Sequence, residues 1–186
     1  MGKKAVKESA SLFKIVIIAL LIAILVRQFI FSPIIVDGPS MQPTLLDRDQ
    51  MIVNKFIYYL KDPDRFDIVI FHATEDKDFI KRVIGLPGEH VEVKDNILYI
   101  DGEKVDQTFM EHNDDHTPVY PIITNDFILE DLPGNYTTIP EGKVLVLGDN
   151  RSNSTDSRSF GLVSMEEIIG KTSVVYWPFE RIQLVK

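Results

Sequence analysis

Two hydrophobic patterns divide the chain. Over residues 12–31 the run is continuous: seventeen of twenty positions are apolar, and only Lys14, Arg27 and Gln28 interrupt it. As a helix such a run would be about 30 Å long, the thickness of a bilayer's hydrocarbon core. Charged side chains near its ends can snorkel to the two interfaces. After Pro33 the pattern becomes short and alternating, as half-buried strands require. Strands are predicted over 34–36, 50–53, 68–71, 79–84, 90–94, 97–100, 144–147 and 173–177. Turn signals separate them, among them Gly38-Pro39, Pro87-Gly88, Pro133-Gly134 and Pro140-Glu141-Gly142. Residues 97–105 read as a hairpin turning at Asp101-Gly102. Residues 164–170 read as a short capped helix ending at Gly170. The expected fold is mainly β: an N-terminal transmembrane helix, then an antiparallel ectodomain. Residues 89–138 form a smaller inserted subdomain in this reading.

Charge sharpens that division. Residues 1–31 hold five Lys/Arg against one acid, net +4, and the other 155 residues are net −12. The lysines before the apolar run place the N-terminus (1–11) in the cytoplasm, the span at 12–31 and residues 32–186 outside. A cleaved secretory signal is the rival, but no small-x-small site follows the run. The acidic body argues against a nucleic-acid partner. With no cysteine among 186 residues, thiol nucleophiles, disulfides and thiolate metal sites are excluded. Glu111-His112-Asn113-Asp114-Asp115-His116 has metal-ligand residue types, but such runs are more often solvated loops, and no metal or cofactor is expected.

Three segments are more specified than folding alone requires. Asp37-Gly38-Pro39-Ser40-Met41-Gln42-Pro43-Thr44-Leu45 holds a serine between prolines, so a fixed loop presents its hydroxyl and nearby N–H groups; the alternative is a rigid turn. In Phe79-Ile80-Lys81-Arg82-Val83-Ile84, strand alternation sets Lys81 between Phe79 and Val83. Burial there would favour the neutral amine that a general base needs; the alternative is an edge lysine reaching water. Gly148 to Arg158 follows an apolar strand and is rich in hydrogen-bonding side chains, which suits either a solvated turn or an orienting network. No Gly-x-Ser-x-Gly elbow is present, and Ser11-x-x-Lys14 lies at the start of the apolar run with no supporting elements.

In this order, behind a membrane anchor, these segments together with Phe66-Asp67-Ile68-Val69 and Gly85-Leu86-Pro87-Gly88 resemble bacterial type I signal peptidases of the compact Gram-positive type. The resemblance implies a Ser-Lys dyad, with Ser40 the nucleophile and Lys81 the general base. It implies that Ser154 orients the lysine, that Asp156 and Arg158 form a supporting pair, and that Asp149 stands by Arg82. Met41, Leu45, Phe79 and Ile80, with Val36, would line shallow apolar pockets for Ala-x-Ala-like sites. Gly38 stands where some relatives carry a serine that supplies a second oxyanion donor, and Ser152 where some carry aspartate. The implied substrates are preprotein signal peptides at the membrane surface, with the export machinery a further partner. An inactive anchored scaffold in pilus or surface assembly is the alternative; a cytoplasmic self-cleaving Ser-Lys peptidase fits the anchor and acidity less well. Independently of the family, Ser40 lies nine residues past Phe31, within about 30 Å of the span's end.

Overall fold

In the computed structural model, residues 2–74, 77–107 and 123–185 are described. Helix α1 spans Gly2–Phe29. It stops two residues short of the expected span: Ile30 turns and Phe31 opens a strand. Pro33 explains the stop, since proline lacks an N–H and biases the preceding residue toward extended backbone. The described large side chains of α1 are bare, from Leu12 at 64% exposed to Leu25 at 55%. Among the described residues no helix is long and apolar enough to cross a membrane.

Twelve strands follow in the described chain: β1 Phe31–Ile35, β2 Gln50–Asn54, β3 Ile68–Thr74, β4 Lys77–Gly85, β5 Val91–Lys94, β6 Ile97–Ile100, β7 Glu103–Val105, β8 Phe127–Ile128, β9 Lys143–Leu147, β10 Val163–Ser164, β11 Ile168–Trp177 and β12 Gln183–Leu184. A four-residue helix, α2, spans Ser157–Phe160. The large sheet runs β1-β2-β11-β3-β4-β9-β10, with β12 added on β11; the small one runs β7-β6-β5-β8. All pairings are antiparallel. Pro33 is tolerated because β1 is an edge strand, where its missing N–H breaks no ladder.

Each predicted strand overlaps an observed one. The hairpin turn at Asp101-Gly102 is present, with both residues at positive φ (52° and 81°), as a type I′ turn demands. The expected helix over 164–170 is corrected. Ser164 and Glu167 do form a capping box, but on a single 3₁₀ turn, Met165–Glu167, before the chain enters β11. Gly170 is no helix cap. It lies in β11, where a Cβ would come within 2.5 Å of the Asn54 carbonyl oxygen.

The small sheet is not a detached body. Val91, Val93, Leu98 and Ile100 share one buried cluster with Ile84, Leu145 and Leu147 of the large sheet. A second cluster gathers Val36, Met41, Leu45, Met51, Ile68, Val175 and Val185 beneath the loop between β1 and β2. A third packs Val69, Phe71, Val83, Val144, Val146 and Val163.

Candidate active site

The loop after β1 and the strand β4 bring Ser40 and Lys81 together: Oγ and Nζ lie 2.8 Å apart. Strand alternation sets this up. Lys81 follows Phe79 on one face of β4, and β4 is flanked on both sides, by β3 and β9. Lys81 is 4% exposed, so the edge-lysine alternative is not what the fold adopts. Its ammonium lies 5.0 Å from the Phe79 ring centre and donates to the Ile80 carbonyl at 2.9 Å. Burial pulls the Lys81 pKa down to about 8, against a smaller upward pull from Asp156 and then Asp149. Near neutral pH an accessible fraction of this amine is therefore unprotonated and able to accept the Ser40 proton.

Both nearby carboxylates belong to arginines. Arg82 and Asp149 form a fully buried two-bond pair, Nε to Oδ1 at 2.9 Å and Nη2 to Oδ2 at 2.7 Å. Arg82 also donates to the Phe66 carbonyl at 2.9 Å. Arg158 grips Asp156 the same way, with both bonds at 2.8 Å. Burial alone would raise the Asp156 pKa; Arg158 and the Gly148 N–H outweigh it and hold the carboxyl below its ordinary value.

Ser154 lines the same groove as Ser40 and Lys81. Its Oγ is buried and meets no hydrogen-bond partner among the described residues, so the implied bond to the lysine is not formed here. Its influence on the Asp156 carboxyl is the weakest of the effects that lower it. The Ser40 N–H donates to no described acceptor and is free to face an oxyanion. The Gly38 N–H is not free, because Asp47 Oδ1 accepts it at 2.9 Å. A second oxyanion donor therefore does not come from the Gly38 amide as it stands.

Around the pair runs a groove of about 750 Å³, lined by Ile34 to Met41, Ile70, Asp78 to Lys81 and Ser152 to Thr155. Val36, Met41, Phe79 and Ile80 are among its walls. Leu45 is the correction: it is fully buried in the cluster beneath the loop and supports the wall without lining it.

Sequence reasoning missed three parts of this site. Asn150 clamps the Ser40 loop, its N–H donating to the Ser40 carbonyl at 3.0 Å and its Nδ2 to the Pro39 carbonyl at 3.2 Å. Thr44 Oγ1 donates to Asp149 at 2.6 Å and ties the loop to the buried pair. Gly148 permits the approach, since a Cβ there would stand 2.2 Å from Ser154 Oγ and 2.5 Å from the Ser40 carbonyl oxygen. Asn150 and Gly148 sit in the polar segment already singled out, and Thr44 in the serine loop, but spacing alone does not distinguish them from neighbours. The acidic run at 111–116 lies outside the described residues. Among the described ones no group of three or more His, Asp or Glu is placed to hold a metal.

A family model described as signal peptidase, peptidase S26, matches residues 9–177. Signal peptidase I of Bacillus caldolyticus is 43% identical over 164 residues, covering 88% of this chain and 89% of that protein. Signal peptidase IB of Staphylococcus aureus is 42% identical over 165 residues, covering 87% and 86%. The crystal structure of a signal peptidase I from Enterococcus faecalis V583 superposes with a TM-score of 0.52 at 41% identity, covering 60% of this chain and 97% of that one.

Proposed function

The chain belongs to the signal peptidase family, peptidase S26, and we propose that it removes signal peptides from exported preproteins with Ser40 as nucleophile and Lys81 as general base. The observation that carries the assignment of roles is the 2.8 Å approach of Ser40 Oγ to a buried lysine that makes no ion pair among the described residues. An inactive scaffold is not favoured, because nothing would maintain so costly a burial of Lys81 without its chemistry.

The neutral amine of Lys81 takes the hydroxyl proton as Ser40 Oγ bonds to the scissile carbonyl carbon. The Ser40 N–H faces the oxygen that becomes negative. Lys81, now an ammonium, gives its proton to the leaving amine, and the C–N bond breaks to leave an ester on Ser40. The amine then takes a proton from water as the water oxygen bonds to the ester carbon; the bond to Ser40 Oγ breaks, Lys81 returns the proton to that oxygen, and the signal peptide leaves as a carboxylic acid. Asp156, Arg158, Asp149 and Arg82 position the pair. The apolar walls at Val36, Met41, Phe79 and Ile80 suit small side chains, which is the basis for an Ala-x-Ala-like preference.

The bilayer is the second part of the proposal. A bare apolar helix needs cover, and α1 runs straight into β1, whose end lies five residues before Ser40. We assign residues 1–11 to the cytoplasm, the following apolar stretch to a single span and residues 32–186 to the outer side, with 89–138 as the inserted subdomain. Phe31, Ile35, Trp177 and Phe179, all more than 40% exposed, would face the headgroups. The test is cleavage of a preprotein by full-length protein in vesicles. Ser40→Ala and Lys81→Ala should each abolish processing. Near-normal cleavage by either variant refutes the dyad.

A further inference from the structure

The C-terminal segment 178–185 lies beyond the stretch matched by the family model, which ends at 177, yet it touches the nucleophile loop at three places. Arg181 grips the carboxylate of Asp49, Nε to Oδ1 and Nη2 to Oδ2, both at 2.9 Å. Asp49 is 1% exposed, and its carboxylate takes the Leu46 N–H at 2.9 Å. Gln183 Nε2 donates to the Thr44 carbonyl at 3.3 Å. The Val185 side chain is buried with Val36, Met41 and Leu45, the apolar residues on either side of Ser40. Pairing of β12 with β11, Val174 opposite Leu184 and Val175 opposite Gln183, fixes the segment from its other edge.

These contacts alternate. Arg181, Gln183 and Val185 point to the loop, while Ile182 and Leu184 are 60% and 74% exposed. The loop is thus held from two directions. On the groove side Asn150 and Asp149 grip Pro39, Ser40 and Thr44. On the far side the C-terminal segment grips Thr44 and Asp49. None of residues 178–185 lines the groove, so the segment has no direct reach to substrate.

We infer that this segment is a strap that sets the position of Ser40 against Lys81, with Arg181 and Gln183 as positioning residues for the hydrolysis proposed above. The inference rests on that reading of Ser40 and Lys81. A displaced nucleophile loses rate without losing substrate affinity, and a misplacement near 1 Å can cost about a hundredfold. Deleting the strap or removing Arg181 would leave Asp49 buried and unpaired, which threatens folding. Gln183 offers the cleaner test, because its contact is a single peripheral hydrogen bond.

Full-length Gln183→Glu keeps the shape and loses the donor; Gln183→Lys keeps a donor. Steady-state cleavage of a signal-peptide substrate should show kcat down by about tenfold in Gln183→Glu, with KM and the acid limb of the pH profile unchanged. Gln183→Lys should recover most of that loss, and both variants should melt within about 3 °C of the parent. Wild-type kcat in Gln183→Glu, an equal loss in Gln183→Lys, or a loss that follows the melting temperature overturns the strap. Ser40→Ala, run in the same assay, separates the two questions: cleavage that survives it removes the underlying reading, whatever Gln183 does.

Discussion

Lys81 and Lys171 flank the same residue. Val69 of β3 is opposite Lys81 on β4 and opposite Lys171 on β11. Two lysines therefore stand in one row across the sheet, and they meet different surroundings. Lys171 is about a third exposed and reaches the carboxylate of Asp67, which also accepts from the Tyr58 hydroxyl at 2.9 Å. Lys81 is sealed in and reaches only a hydroxyl and a carbonyl. The two carboxylates that pull on it are already taken, Asp149 by Arg82 and Asp156 by Arg158. Burial by itself does not produce a base. Burial combined with arginines that occupy both carboxylates acting on Lys81 does, because it leaves the ammonium with no ion-pair partner among the described residues.

The widest separation between the two lysines should come from replacing each with methionine. Lys81→Met removes the proposed general base, and cleavage should fall by at least about 1,000-fold. Lys171→Met should stay within a few-fold of the parent. Stability should move the other way. The Lys81 pKa is about 8 in the fold and 10.5 when exposed. Between those values the unfolded chain holds more protons, so stability rises with pH; below 8 the fold bears the full cost of a buried ammonium, about 3 kcal/mol. Lys81→Met should therefore stabilise the protein near pH 7 by up to that amount, with the gain fading between pH 8 and pH 10.5. Lys171→Met leaves Asp67 buried without its cation and should cost roughly 3 kcal/mol. Urea melts at pH 7 and pH 10.5 check both signs; a destabilised Lys81→Met at pH 7 would break the comparison.

Each lysine also has a glycine at its service, and these offer the next contrast. A Cβ on Gly148 would meet the Ser40 carbonyl oxygen at 2.5 Å, and one on Gly170 would meet that of Asn54 at the same distance. Neither neighbour is a flexible tip; both are backbone, so the chain must shift. Gly148→Ala should push the nucleophile loop off Lys81 and lower kcat by about a hundredfold. Gly170→Ala should spread β11 from β2 and lower the melting temperature, while kcat of the folded fraction holds. Equal kcat losses in the two variants would mean that Gly148 has no special relation to the site.

How much of this was legible in the sequence follows from what is local. The strands announce themselves by alternation, and the Asp101-Gly102 turn by residues suited to positive φ. Ser40 and Lys81 stand out because their motifs are dense and ordered. Sheet order is not local: β11 enters between β2 and β3 from the far end of the chain, and β8, β10 and β12 are two residues each, too short for any period to show. The same limit hides Gln183, whose partner Thr44 is 139 residues away. Leu45 shows a subtler limit. Its motif suggested a pocket wall, but only packing decides which apolar residue faces the groove and which supports it.

The finest test of the contrast restores part of Lys171's situation to Lys81. Arg158→Gln removes the cation that occupies Asp156. Asp156 keeps the Gly148 N–H at 3.0 Å, which continues to favour its charged form against burial once Arg158 is gone. Its charge is then no longer offset by the Arg158 guanidinium. This change favours the ammonium and raises the Lys81 pKa above about 8. Activity follows the neutral amine, so the acid limb of kcat/KM should move to higher pH. The rate at pH 7 should fall by a few-fold, while the alkaline plateau stays near the parent's. A limb that does not move, or moves to lower pH, would show that Arg158 does not shield Lys81 from Asp156. The size of the movement measures how much of the low pKa is owed to that shielding and how much to burial alone.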